Sequence, residues 1–314
     1  VRTAVTSLAP PAAASSVEDH ADWLELVALA DADRRASIED LIGALRTTSS
    51  TEDLEDERLT DRGSELAQSV AESAMSLAEE RAAAMLRPEH YPFSFSGQTV
   101  TARPSAVRTT YAFLLLLSAF GEDSGPSGTN GASLFEDVSA VAARNYLGGD
   151  RTGAQVYNFG FPRKLKPAGF KPALEDLSRQ LSEGGGGKDR PSRRHQKDAK
   201  LDLVAWIPMP DRRSSKVIGF GQCATGRNWK SKVTELQAEP WCRKWFVDPP
   251  PVIPLRLFFL PYRINGTDWD DHAIDAGIIF DRCRLATYAA ALDRDVRQSL
   301  NAWNAHVVRE KLLR

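Results

Sequence analysis

Apolar residues recur at helical spacing through the first part of the chain and in short unbroken runs through the last part. Trp23, Leu24, Leu26, Val27 and Leu29 form a helical stripe behind Ser16-Val17-Glu18-Asp19. There the serine offers a cap and the acids meet the positive end of the helix dipole. Ser37 opens a second helix carrying Leu41, Ile42 and Leu45, and a polar, acidic loop follows from Thr48 to Glu52. A third helix is expected over about 61–86, with Leu66, Val70, Ala74, Leu77 and Ala82 on one side. Residues 88–100 read as extended, 103–120 and 134–147 as helices, and the Gly/Ser-rich stretch 122–132 as a loop.

The period then changes. A helix over 170–181, begun by Pro172, carries Leu174, Leu177 and Leu181 and is expected to end at the glycine tract 184–187. Two runs of strand length, 201–207 and 216–224, are separated by the polar turn Pro210-Asp211-Arg212-Arg213-Ser214-Ser215. A helix over about 229–237, strands over 252–262 and 276–285, and a closing helix over 293–313 complete the series. The pattern predicts an α+β protein: a disordered lead-in (1–16), an α-helical domain (17–150), then an α/β domain with a central mixed sheet (151–314).

Composition narrows the class without naming a function. At 314 residues, 42% hydrophobic and 26% charged, the chain has the balance of an ordinary soluble protein with room for two cores. A net charge of −2 implies no particular partner, yet residues 160–200 hold eleven basic against five acidic side chains. Cys223, Cys242 and Cys283 are odd in number and make no zinc pattern with His272, which points to reduced thiols and a cytoplasmic setting. The longest apolar run, 111–120, is about half a membrane span and reads as a core helix, and no signal peptide is visible. No phosphate loop is complete: Gly221 and Gly226-Arg227 have the spacing but lack the Lys-Ser/Thr ending.

The residue that most needs explaining is Asp202, a carboxylate set among Leu201, Leu203, Val204 and Trp206. Burying it is costly unless a cation or a hydrogen-bond network meets it. Gln222 lies near the end of the next run, followed by Cys223 and Ala224, and Lys230 and Lys232 come shortly after. A helix, a strand bearing an acid, a strand bearing an amide, a helix and another apolar strand resemble the PD-(D/E)XK, or restriction-endonuclease-like, nuclease superfamily over roughly 165–290. The words Asp-x-Val-Ala-Trp, Gln-Cys-Ala-Thr-Gly and Asn-Trp-Lys look like those of bacterial nuclease-like proteins found with defence or restriction genes.

The resemblance implies a metal-dependent DNA endonuclease of bacterial anti-phage defence or restriction, working alone or as a subunit of a complex. Asp202, Gln222 and the Cys223 backbone carbonyl would hold Mg²⁺, for which Mn²⁺ can substitute; the motif lysine is Ala224 here, and Lys230 would take its place from the following helix. Glu175, Asp198 and Lys232 are additional candidates, and Arg193, Arg194 and Lys197 would face the DNA backbone. The N-terminal helices would then serve a protein partner or a second copy.

Each of these residues has a plain structural reading beside the functional one. Asp202 can pair with Lys200 or Lys216, Gln222 can satisfy backbone, and Lys230 can be a solvated lysine. Likewise Glu175 can lie on the surface, and Asp198 can cap a turn. The alternative at the level of the whole domain is a nuclease-like fold without catalysis, serving as a DNA-binding or assembly subunit, which Ala224 favours. A protein-interaction module is the third.

Overall fold

The computed structural model describes residues 8–49, 57–161, 167, 169–189 and 199–313. The chain forms two compact units, Val1–Gly131 with Arg297–Arg314, and Ala132–Val296. The division expected near 150 thus falls inside the second unit. The helix Gly131–Tyr146 belongs almost wholly to that unit: the Tyr146 ring meets Phe280 edge-on, and Asn145 Nδ2 donates to the Tyr288 carbonyl at 2.7 Å.

In the first unit α1 (Val17–Ala30) is capped by Ser16, whose hydroxyl accepts from the Asp19 N–H at 3.1 Å. From His20 to Ala30 every residue but Asp22 is buried, Glu25 included. Strand β1 (Arg35–Ser37) leads into α2 (Ile38–Ser49), where Ser37 and Asp40 satisfy each other's backbone N–H groups at 3.2 and 2.8 Å. Helix α3 (Glu57–Ala83) packs on both α1 and α2 and buries Ala67, Ala71, Ala74, Met75 and Ala78. Leu66, expected on that face, is exposed: the small alanine stripe permits close packing, and it wins over the larger side chains. Strands β2 (Phe93–Ser96) and β3 (Thr99–Ala102) form a hairpin to which β1 adds, in the order β1-β3-β2, and α4 (Thr110–Phe120) follows. Residues 8–16 of the expected lead-in are described, and Trp23 Nε1 donates to the Leu8 carbonyl at 3.3 Å.

Buried at the centre of this unit is Glu25, which accepts from the hydroxyls of Tyr91 at 2.7 Å and Tyr111 at 2.8 Å and pairs with Arg81 at 3.0 Å. Arg81 also reaches Asp22 at 2.8 Å. Burial, then the Glu25 charge, push the Tyr91 phenol well above its ordinary range, so it stays a proton donor to the carboxylate.

The second unit begins with α5 (Gly131–Tyr146) and is built on a five-stranded sheet. Strands β4 (Gln155–Asn158), β6 (Leu203–Trp206) and β7 (Ile218–Cys223) pair antiparallel, and β9 (Leu255–Phe259) and β10 (Ile278–Phe280) extend the sheet in parallel. Helix α6 (Phe170–Leu181) and helix α7 (Ala238–Trp245) share one core with Val204, Trp206, Ile218 and Phe220. The small helices α8 (Trp269–Ala276) and α9 (Arg282–Tyr288) flank β10.

Two expectations are corrected here. The glycine tract does not merely end α6; Ser182, in the left-handed region at φ 54°, caps the helix, and Gly184–Gly187 is strand β5, paired with β8 (Phe246–Asp248). A Cβ on Gly184 would lie 2.5 Å from the Phe246 ring, so only glycine lets the backbone run there. The helix expected over 229–237 is a 3₁₀ turn, Trp229–Lys232, and the true helix is α7. Pro240 decides this, because without an N–H it fits only the first turn of a helix.

Candidate functional site

Strand alternation sends Gln222 to the face of Ile218 and Phe220, and Cys223 to the opposite face with Gly219 and Gly221. Those two glycines leave room for neighbours: a Cβ on Gly219 would lie 2.6 Å from Leu257, and one on Gly221 2.6 Å from Leu203. The carboxyl end of β7 and the start of β6 lie at the same end of the sheet, and Asp202 sits where they meet.

Asp202 is held on three sides. Its N–H donates to the Gly221 carbonyl at 2.9 Å, and its carbonyl accepts from Phe159 and Gly160 at 2.7 and 2.8 Å. Its carboxylate oxygen Oδ2 accepts from the Cys223 N–H at 2.7 Å. The two lysines that the sequence offers as its partners make other contacts. Lys216 is buried against Glu183 at 2.8 Å and the Leu181 carbonyl at 2.7 Å, and Lys200 reaches Glu235 at 3.2 Å.

Gln222 is 4% exposed, and its Nε2 donates to Glu235 Oε2 at 2.9 Å. The other end of the amide, Oε1, is buried with no hydrogen-bond partner among the described residues. Asn158 Oδ1, Glu183 Oε2, Asn301 Oδ1 and Asn304 Oδ1 are likewise without a partner among the described residues, and what sets Gln222 apart is its register, one position beyond the Leu203–Gly221 pair and so opposite Asp202. A hard cation takes oxygen donors, and the oxygens that could offer themselves to Mg²⁺ or Mn²⁺ here are those of Asp202, the Gln222 amide and the Cys223 carbonyl. Among the described residues no three His, Cys, Asp or Glu side chains close into a metal-holding group. Any ion here would rely on this mixed set of oxygens.

Helix α5 supplies carboxylates that the sequence pattern did not reveal. Glu136 lies against Gly160, where an added Cβ would come within 2.9 Å of its Oε2, and Asp137 accepts from Asn158 Nδ2 at 3.1 Å. Burial, followed by the charges of Asp202, Glu136 and Asp137, pushes the Cys223 thiol well above its usual range. That shift favours the protonated thiol beside an acidic corner. The signal for Glu136 would have been β4, whose pairing with β6 carries α5 to this end; Gln-Val-Tyr-Asn is too short to announce itself as a strand.

The remaining candidates go elsewhere. Lys230 is 62% exposed, with Nζ 3.9 Å from Asp268 Oδ2 and 5.8 Å from the Trp229 ring centre. Lys232 is half-buried at the end of the 3₁₀ turn, and Ala224, at the motif lysine position, is fully buried. Glu175 is about half exposed and pairs loosely with Lys171 at 4.0 Å. Arg193, Arg194, Lys197 and Asp198 lie outside the described residues.

No protein-family model, curated protein or solved structure matches the chain. No helix among the described residues is long and apolar enough to cross a membrane.

Proposed function

We propose that the second unit is a nuclease-like domain that hydrolyses phosphodiester bonds in DNA with Mg²⁺ or Mn²⁺. The observation that carries this reading is the Asp202–Gln222 corner: a carboxylate anchored to the Cys223 N–H, beside a buried amide oxygen with no hydrogen-bond partner among the described residues. The element order supports it, since α6, β6, β7, α7 and β9 follow the sequence that the PD-(D/E)XK resemblance implies. So does the position, because open α/β sheets bind ligands beyond the carboxyl ends of their strands.

In this reading Asp202, Gln222 and the Cys223 carbonyl hold the metal, and Glu136 adds negative charge from α5. When bound, such an ion acidifies a water and shields charge developing on the phosphoryl oxygens. The residues of the chain orient that centre: Phe159, Gly160 and Gly221 fix the Asp202 backbone, and the Cys223 N–H fixes its carboxylate. Anti-phage defence or restriction is the setting that the resemblance suggests, with the first unit offering a surface to a partner or a second copy.

One observation favours a second reading. Lys230 turns to Asp268, so the described residues provide no lysine to take over from Ala224 by this route. That is what a DNA-binding or assembly subunit without catalysis would show. The full chain, incubated with supercoiled and linear DNA in Mg²⁺ or Mn²⁺ and run in parallel on a gel shift, separates the two. Cutting abolished by EDTA supports the nuclease, binding without cutting supports the scaffold, and neither cutting nor binding overturns both.

A further inference from the structure

The amide of Gln222 has two ends, and only one orientation suits its neighbour. Glu235 Oε2 stands 2.9 Å from Nε2, and a carboxylate accepts from an amide NH₂ but repels an amide oxygen. Glu235 is in turn held by Lys200, whose Nζ lies 3.2 Å from Oε2 and 3.3 Å from Oε1. Lys200 is itself placed by a constrained backbone, since Ala199 and Lys200 both adopt left-handed conformations, at φ 57° and 70°. These three side chains form a line that ends on an amide oxygen with no partner among the described residues, in a residue 4% exposed.

We infer that Glu235, steadied by Lys200, is a positioning residue that locks the Gln222 amide so that Oε1 is presented to a divalent cation. The inference rests on the metal-binding reading above. Its physical content is a rotational one. A free glutamine amide can present either its oxygen or its NH₂ to a cation, and only the first binds. A hydrogen bond to the far end of a ligand selects the productive orientation and raises its affinity, and losing such outer support typically costs about 10–100-fold. A glutamate at position 222 would have two equivalent oxygens and would need no such lock.

The test is Mn²⁺ binding to the full chain by calorimetry, arranged as a double-mutant cycle. Glu235→Ala is expected to weaken Mn²⁺ binding by about 10–100-fold. Glu235→Gln, which keeps an acceptor for Nε2, is expected to recover most of it. In a Gln222→Glu background, Glu235→Ala is expected to leave binding unchanged or tighten it, because the lock is redundant and a repelling charge has gone. Native-background binding indifferent to Glu235→Ala, or the same loss in both backgrounds, would overturn the inference while leaving the metal site standing. Mn²⁺ binding that is absent, or unaffected by Asp202→Ala, would overturn the metal site and the inference together. Thermal unfolding of each variant reports whether the fold is intact; the Glu235 side chain is 31% exposed, so its replacement leaves the core alone.

Discussion

The Cys223 N–H donates to Asp202 Oδ2 at 2.7 Å, tying the start of one strand to the end of the next through a side chain in place of a ladder bond. In the proposed function the same carboxylate has a structural duty and a metal-binding one. The two separate by substitution. Asp202→Ala leaves the Cys223 N–H without its acceptor and is expected to cost about 1–3 kcal/mol in urea unfolding. Asp202→Asn keeps an acceptor oxygen and is expected to cost clearly less. Equal losses would show that the negative charge, not the hydrogen bond, carries the stability.

Gly160→Ala probes the α5 carboxylate. The added Cβ would lie 2.9 Å from Glu136 Oε2 and 3.2 Å from its carboxyl carbon. Since the obstacle is the far end of a flexible side chain, the fold is expected to lose less than about 1 kcal/mol. Mn²⁺ binding is expected to weaken by about tenfold, as for other supporting contacts around a metal. Unchanged binding would remove Glu136 from the site.

The buried pair Lys216–Glu183, 2.8 Å apart with both side chains almost fully enclosed, anchors β7 to the end of α6. Lys216→Met is expected to destabilise by about 3–5 kcal/mol, because it strands a buried carboxylate. Adding Glu183→Gln should return part of that loss, since the stranded charge is removed. Chemical denaturation of the single and double variants measures it, and a double variant weaker than the single would contradict the argument.

Cys242 gives a pH signature. It is 3% exposed, and burial pushes its thiol from an ordinary value of 9.0 up to about 12. The folded pKa exceeds the unfolded one, so the contribution to stability is whole below about pH 9 and is lost as pH climbs toward about 12. Wild type and Cys242→Ala should therefore differ in stability by a constant amount up to about pH 9, and that difference should shift toward the alanine variant above it. At about pH 8 the thiol should react with Ellman's reagent only in denaturant. Rapid labelling of the native protein would show the site to be open.

Much of the second unit is legible in the sequence. The runs around Val204 and Phe220 are strands because both faces are buried, and uninterrupted apolar residues are how such strands read. Asp202 and Gln222 stand out as polar residues in those runs, and the structure places them at one end of the sheet. The rest is hidden for identifiable reasons. Strand β4 has four residues with an exposed end, so the helix that contributes Glu136 could not be linked to Asp202. Strand β5 is four glycines, a composition that signals a break unless one knows that Phe246 occupies the space a side chain would need. Lys230 follows Trp229, and a continuous helix there would set its reach; the helix stops after a single turn, and the lysine turns to Asp268. Glu235 carries no signal at all, since its hydrogen bond is to a side chain thirteen positions earlier.

The measurement closest to the central claim is cleavage of supercoiled DNA by the wild type and by Asp202→Asn, at matched stability and in Mg²⁺ or Mn²⁺. The account predicts metal-dependent nicking or linearisation by the wild type, abolished by EDTA and by the substitution. Cleavage that survives in Asp202→Asn, or that proceeds in EDTA, would contradict it.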